Sequence, residues 1–348
     1  MSVLSYKNLK TWYLVNKRNL PWRHTNDPYL VWLSEIILQQ TKVEQGLSYY
    51  EKISKTYPTV NALANAKEND LLLLWQGLGY YSRALNLHKT AKIVKEEYKG
   101  VFPDNYLDLL GLPGIGSYTA AAIASFCYLE TVPVLDGNVY RVISRIYGIE
   151  EPINTGVSKK VFMERLKNLI PSKEPDVFNQ AIMEFGALHC TPKQPKCNTC
   201  PFVLNCVAYN TLSVNSFPVK KKAKAKKVEY RSYFLLSFKD EIALIKRDKS
   251  GIWKNLYELP CIVMDRMQNT LELEEKVSRV FGFVNPAELA KPIFKTTHIL
   301  SHIKMEVDFY ECEVHEKFVY PRLEWVKRLN LESYALHQLM RKFFKEGQ

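Results

Sequence analysis

Nowhere among the 348 residues is there a run of about 18 apolar side chains, so no helix of this chain is expected to cross a bilayer. The stretch MSVLSYKNLKTWYLVNKRNLPWR lacks the apolar core of a secretion signal, which makes a cytosolic protein the expectation. Acidic charge is in short supply: 36 Asp and Glu stand against 48 Lys and Arg, for a net charge of +12. That balance favours a polyanionic partner, but many basic proteins bind no nucleic acid, and charge alone leaves the question open. An apolar fraction of 47% argues against wholesale disorder, and the length allows two domains with real cores.

Three of the seven cysteines, Cys127, Cys261 and Cys312, lie scattered among apolar residues and read as buried thiols. The other four, Cys190, Cys197, Cys200 and Cys206, form a C-x6-C-x2-C-x5-C run over 190–206 that contains no histidine. Structural zinc usually takes two short Cys-x2-4-Cys knuckles, and this run has one. Gaps of six and five suit a larger cubane, so a [4Fe–4S] cluster is the preferred reading, with zinc or disulfides as the alternatives. Lys193 and Lys196 place positive charge beside it, as a DNA-contacting loop would need.

Apolar residues recur at three and four up to about residue 210, then six lysines crowd between Lys220 and Lys227, and beyond them the period becomes two. The expected fold is multidomain: an all-α domain over 1–215, a basic linker over 216–229 that also lies along DNA, and a smaller α+β domain over 230–348. In the last, YRSYFLLSFKDEIALIKRD reads as a hairpin and HILSHIKMEVDFYECEV as a second pair of strands. LELEEKVSRVFGF reads as a helix between them, and ESYALHQLMRKFFKE as a closing helix.

Glu35 lies in DPYLVWLSEIILQQT, where Asp27 and Pro28 suit a helix start and helical spacing surrounds the carboxylate with Val31, Trp32, Leu38 and Gln39. On such a face its pKa would rise and it could serve as a general acid, whereas a glutamate reaching solvent or a lysine is the plain alternative. Asp136, in VPVLDGNVYRV, has the look of a helix N-cap, which would favour its anion, the opposite tuning. Two carboxylates tuned apart are the usual apparatus for breaking a glycosidic bond through an oxocarbenium-like state. LPGIGSYTAAAIAS makes a helix–hairpin–helix in which Leu112, Gly114 and Gly116 would turn backbone N–H groups toward a phosphate, unless it is an ordinary tight turn.

Taken together, LPWR, SEIILQQT, GLGYYSRALNL, LPGIGSYTA, LDGNVYRV, FNQAIMEFGA and the cysteine run resemble the MutY branch of the helix–hairpin–helix, iron–sulfur DNA glycosylases. The resemblance is close over 5–215 and looser beyond. It implies an adenine DNA glycosylase of base excision repair, acting as a monomer in the nucleoid on duplex DNA with an A:8-oxoguanine or A:G mispair, which flips adenine into a pocket. By this resemblance Glu35 protonates N7, Asp136 stabilises the sugar cation, and Tyr118 and Asn138 support them. Trp22, Arg23 and Gln180 would line the adenine pocket, while Gln40 and Tyr80 or Tyr81 would wedge into the base stack. Endonuclease III-like relatives carry a Schiff-base lysine at the position of Tyr118, so a monofunctional enzyme is implied here.

The C-terminal domain resembles a MutT-like domain that recognises 8-oxoguanine, with Ser301 and His302 as its lesion contacts and Leu300 where the family has phenylalanine. The metal-holding positions of a Nudix helix are Glu275, Lys276, Arg279 and Val280 ahead of Gly282, so the magnesium carboxylates are missing and pyrophosphatase activity is not expected. Two rival readings remain: an endonuclease III-like glycosylase and lyase acting on oxidised pyrimidines, and a non-catalytic DNA-binding iron–sulfur protein.

Overall fold

Residues 3–221, 225–248, 251–266, 270–281, 289 and 291–347 are described by a computed structural model. The backbone packs as two units, one of residues 1–65 with 86–223, the other of 66–85 with 224–348. The first is helical, as its three- and four-residue apolar spacing predicts. Asp27 caps helix Pro28–Leu38 by accepting from the Tyr29 N–H at 2.9 Å, and Pro28 takes the first turn. That helix is apolar on nearly every side and is accordingly buried from Val31 to Ile37. Helix Pro175–Leu188 packs against helices Tyr6–Asn16, Ser117–Tyr128 and Gly137–Tyr147. Their shared core holds Leu9, Tyr13, Ile143, Phe162, Phe178 and Phe185.

Among the described residues of the second unit seven strands form one mixed sheet: β1 (Lys227–Phe238), β2 (Glu241–Lys246), β3 (Tyr257–Glu258), β4 (Cys261–Met264), β5 (Phe294–Ile299), β6 (Ile303–Glu313) and β7 (Leu323–Lys327). Both expected strand pairs form, β1 with β2 and β5 with β6, each antiparallel. The long central pairing is parallel, β1 with β6, from Lys227 opposite Ile303 to Ser237 opposite Glu313. Both faces of β1 are covered, which explains its unbroken apolar run from Tyr233 to Leu236. Tyr233 and Leu235 meet Leu339, Met340 and Phe343 of helix Gln338–Glu346, while Phe234 and Leu236 meet Leu273, Val277 and Phe281 of helix Thr270–Phe281.

The closing helix starts later than its apolar pattern suggests, because the chain at Ala335 and Leu336 pairs with Tyr257, whose N–H donates to Ala335 O at 2.9 Å. Strand β1 begins at Lys227, inside the stretch read as linker, and residues 222–224 of that linker and Gly282 lie outside the described residues. Residues 66–85, helical in pattern, fall in the second unit: Tyr81 Oη donates to Leu336 O at 3.2 Å and Asn255 Nδ2 to Glu68 Oε1 at 2.7 Å. Their periodicity breaks between Trp75 and Ser82, where Gly77, Gly79 and Tyr80 take left-handed backbone conformations. Of the three scattered cysteines only Cys312 is fully buried; Cys127 and Cys261 are half-buried.

Candidate active site

A cavity of about 570 Å³ opens in the helical unit, lined by Glu35, Asp136, Tyr118, Asn138, Trp22, Arg23 and Gln180 among others. Seven side chains spread over 159 residues of sequence thus meet at one place. Glu35, only 6% exposed, reaches neither solvent nor a lysine; its Oε2 accepts from Tyr118 Oη at 2.6 Å. Burial pushes its pKa up to about 7, against the Tyr118 hydrogen bond and with the help of the Asp136 charge. A carboxyl poised there is a competent proton donor near neutrality.

Asp136 is the N-cap its sequence promised, with Oδ1 accepting from Val139 N–H at 2.7 Å. Its Oδ2 accepts from Asn138 Nδ2 at 2.7 Å. Its tuning differs from the sequence expectation: the pKa is raised, because burial outweighs the cap bonds and the nearby Arg141. The sequence shows a cap but cannot show which side chains gather around it and displace part of its water.

Several neighbours escaped the sequence reading. Glu184 lines the same cavity, 1% exposed, and holds Arg18 and Arg23 in a double ion pair. Burial alone would raise its pKa, but the hydrogen bonds from Arg23 and Arg18 bring it down to about 2. Arg141 bridges from Asn138 Oδ1 (2.8 Å) to Gly186 O (2.6 Å) and Cys190 O (2.7 Å). Glu184 stands four residues after Gln180, on the same helix face, and that spacing was the one available signal.

The hairpin from Leu112 to Gly116 joins helices Tyr106–Leu110 and Ser117–Tyr128. Ile115 N–H closes it on Leu112 O at 3.1 Å, and Thr90 Oγ1 pins Pro113 O at 2.6 Å. Gly114 has φ +76°, and a Cβ there would stand 2.7 Å from Asn86 Cβ, so only glycine fits. Nothing lies within 4 Å of a Cβ placed on Gly116, which caps the second helix without a side chain, leaving that end open to an anion.

None of the four clustered cysteines is in a disulfide, and Cys190, Cys200 and Cys206 pack against the helical core. Burial lifts Cys200 to about 12, with Cys190, Cys206 and Cys197 adding to it, so the four sulfurs feel one another. Among the described residues no three Cys, His, Asp or Glu side chains converge as a single metal ion needs. Buried Arg145 gathers the loop, donating to Cys190 Sγ (3.4 Å), Thr191 O (2.7 Å) and Pro192 O (3.0 Å).

Gln40 is exposed with φ +56° and does not line the cavity. In the second unit Tyr80 is 50% exposed with its ring 5.7 Å from the Arg83 guanidinium, whereas Tyr81 is buried with its hydroxyl engaged. Ser301 and His302 sit exposed on the β5–β6 turn and hydrogen-bond to each other at 3.0 Å, while Leu300 packs against the core of that unit.

The sequence pattern of the HhH-GPD superfamily base excision DNA repair proteins matches residues 33–171, and that of the NUDIX domain matches 232–346. An adenine DNA glycosylase of Buchnera aphidicola subsp. Schizaphis graminum is 38% identical over 298 residues, covering 85% of this chain and 84% of that one. The human adenine DNA glycosylase is 31% identical, covering 98% and 73%. A thermostable thymine-DNA glycosylase superposes with a TM-score of 0.55 at 30% identity, over 59% of this chain and 94% of its own. Endonuclease III in a non-covalent DNA complex shares the fold, with a TM-score of 0.52 at 20% identity over the same shares. On these similarities, the chain belongs to the adenine DNA glycosylase family, a helix–hairpin–helix base excision repair domain followed by a NUDIX domain.

Proposed function

We propose that the protein is a monofunctional glycosylase that hydrolyses the N-glycosidic bond of adenine mispaired with 8-oxoguanine or guanine in duplex DNA. The observation that carries this reading is the pairing, in one cavity, of a buried Glu35 with a pKa of about 7 and a capped Asp136. Glu35 gives its proton to adenine N7, and the bonding pair of the C1′–N9 bond leaves with the base. The Asp136 carboxylate, held by Val139 N–H and Asn138, stabilises the oxocarbenium ion until water adds to C1′ and passes its proton to the Glu35 carboxylate, restoring the acid. Tyr118 holds Glu35 in place and has no amine to form a Schiff base, which separates this reading from a glycosylase-lyase. The presence of both carboxylates in the cavity speaks against a non-catalytic DNA-binding role.

The protein works as a monomer on DNA, with the hairpin over 112–116 on the backbone, Gln40 and Tyr80 as wedges, and the basic linker along the duplex. Trp22, Arg23 and Gln180 hold the flipped base. Cys190, Cys197, Cys200 and Cys206 would hold a [4Fe–4S] cluster: they are four free thiols on one loop, three of them packed against the helical core. The cluster would give the 190–206 loop its shape. Purified protein is expected to be brown, with the colour lost in Cys197→Ser; a colourless protein with stoichiometric zinc would refute the cluster.

Adenine is a normal base, so the damage signal must come from the opposite strand, where 8-oxoguanine differs at O8 and a protonated N7. A hydroxyl and an imidazole at Ser301 and His302 offer hydrogen bonds to that edge, worth roughly 1–3 kcal/mol of discrimination. Duplexes with A:8-oxoguanine, A:G or thymine glycol, incubated with and without alkali, test the whole reading. Release of adenine with strand breaks only after alkali is expected, and Ser301→Ala with His302→Ala should narrow the preference for A:8-oxoguanine over A:G. Cleavage of thymine glycol with borohydride trapping would overturn it.

A further inference from the structure

We propose that Glu184 is a positioning residue for the base pocket: it locks Arg18 and Arg23 into one cationic wall whose direction and net charge act on the flipped base and on Glu35. Glu184 accepts five hydrogen bonds, from Arg18 N (2.9 Å), Nε (2.9 Å) and Nη2 (2.6 Å), and from Arg23 Nη1 (2.9 Å) and Nη2 (2.7 Å). Arg23 Nη1 also donates to Arg18 O at 3.0 Å, and its guanidinium lies 5.8 Å from the Tyr13 ring, whose hydroxyl donates to Gln180 Oε1 at 2.8 Å. Arg23 therefore cannot swing, and of its five N–H groups these bonds engage three.

Stability does not explain the arrangement. Only the carboxylate of this triplet is fully buried, and ion pairs around a buried charge are often no more stable than apolar side chains of the same volume, because desolvation offsets their attraction. Its charge does have a consequence. Two guanidiniums and one carboxylate leave a net single positive charge on the wall, and Arg23 is among the groups that hold Glu35 down. The other groups acting on Glu35 are Tyr118 and Asp136, with Arg141, Lys42 and Glu44 completing the charged lining. Removing the Glu184 charge leaves Arg23 uncompensated, which favours the Glu35 carboxylate and depletes the proton donor. Removing the Arg18 charge does the reverse.

The inference rests on the proposed glycosylase reading for its effect on cleavage, but its electrostatic part can be measured with no substrate. In full-length protein labelled with 13C at glutamate Cδ, the Glu35 carboxyl should titrate about one pH unit lower in Glu184→Gln. In Arg18→Gln, which lies at the more exposed side of the clamp, it should titrate higher. Glu184→Asp, shorter but still charged, should return the titration toward the parent. In single-turnover assays Glu184→Gln should lose about tenfold in rate at pH 8 but only about twofold at pH 6. Shifts of the same sign in Glu184→Gln and Arg18→Gln, or no shift in folded variants, would show the clamp to be structural only. If Glu184→Gln fails to fold, the Arg18→Gln and Glu184→Asp titrations decide alone. A parent protein that releases no adenine while the titrations shift as expected would sink the glycosylase reading and leave the clamp standing.

Discussion

Glu35→Gln and Asp136→Asn should each lower the single-turnover rate of adenine release by at least about a hundredfold, and toward ten thousandfold, with duplex binding nearly unchanged. Amide replacement keeps the shape of each side chain. In the first case it removes the transferable proton, in the second the charge that faces the sugar cation. The parent enzyme should show a bell-shaped pH profile. Glu35 must be protonated to act, so the rate should fall about tenfold per unit as pH rises past about 7, the value to which burial brings this carboxyl. Asp136 must be ionised, and because its pKa is raised, the acid limb should lie above that of an ordinary aspartate. Glu35→Gln should abolish the alkaline limb along with the rate. A variant that keeps most of its rate would mark that carboxylate as a mere cap or core group.

Gly186→Ala should damage the enzyme almost as severely, from a position that touches no base. Gly186 lies where helix Pro175–Leu188 crosses helix Gly137–Tyr147, and a Cβ on it would stand 2.7 Å from Asn138 Cβ and 3.0 Å from Asn138 O. Backbone cannot yield as a flexible side chain can, so the methyl group must push the helices apart, an overpacking cost of roughly 1–3 kcal/mol. The displaced Asn138 is the one that holds Asp136 Oδ2 and accepts from Arg141, which also binds Gly186 O. Misplacing a catalytic group by about 1 Å can cost a hundredfold in rate, and a loss of that order is expected. Melting temperature and single-turnover rate should both drop, whereas Gly156→Ala, with nothing within 4 Å of its new methyl, should leave both near the parent. Parental values for Gly186→Ala would mean that the two helices have slack which their contact distances do not suggest.

Much of this was legible in the residues themselves, because the signals were local. Asp27 and Asp136 cap their helices through side chains that reach only two or three residues along the chain. Period-two alternation marked the paired strands, and the two glycines of LPGIGS marked the hairpin, where Gly114 takes φ +76°. Motif resemblance added which carboxylates to watch, and all seven predicted catalytic and base-pocket residues of the helical unit line one cavity.

What sequence could not supply is distance and the exclusion of water. The Asp136 cap suggested a stabilised anion, yet burial by residues far along the chain raised its pKa instead. Tyr80 and Tyr81 are indistinguishable as letters, and only packing turned one outward and tied the other to Leu336. Residues 66–85 continue a helical pattern but group with the C-terminal segment, and Glu184 reads as one more charged position on a helix. Caps, turns and strand alternation are written in neighbouring residues, so the amino-acid order alone determined them. Desolvation and charge pairing are sums over atoms that only the folded chain brings together, so tertiary structure alone decided which carboxylate keeps its proton and which arginines stand beside it.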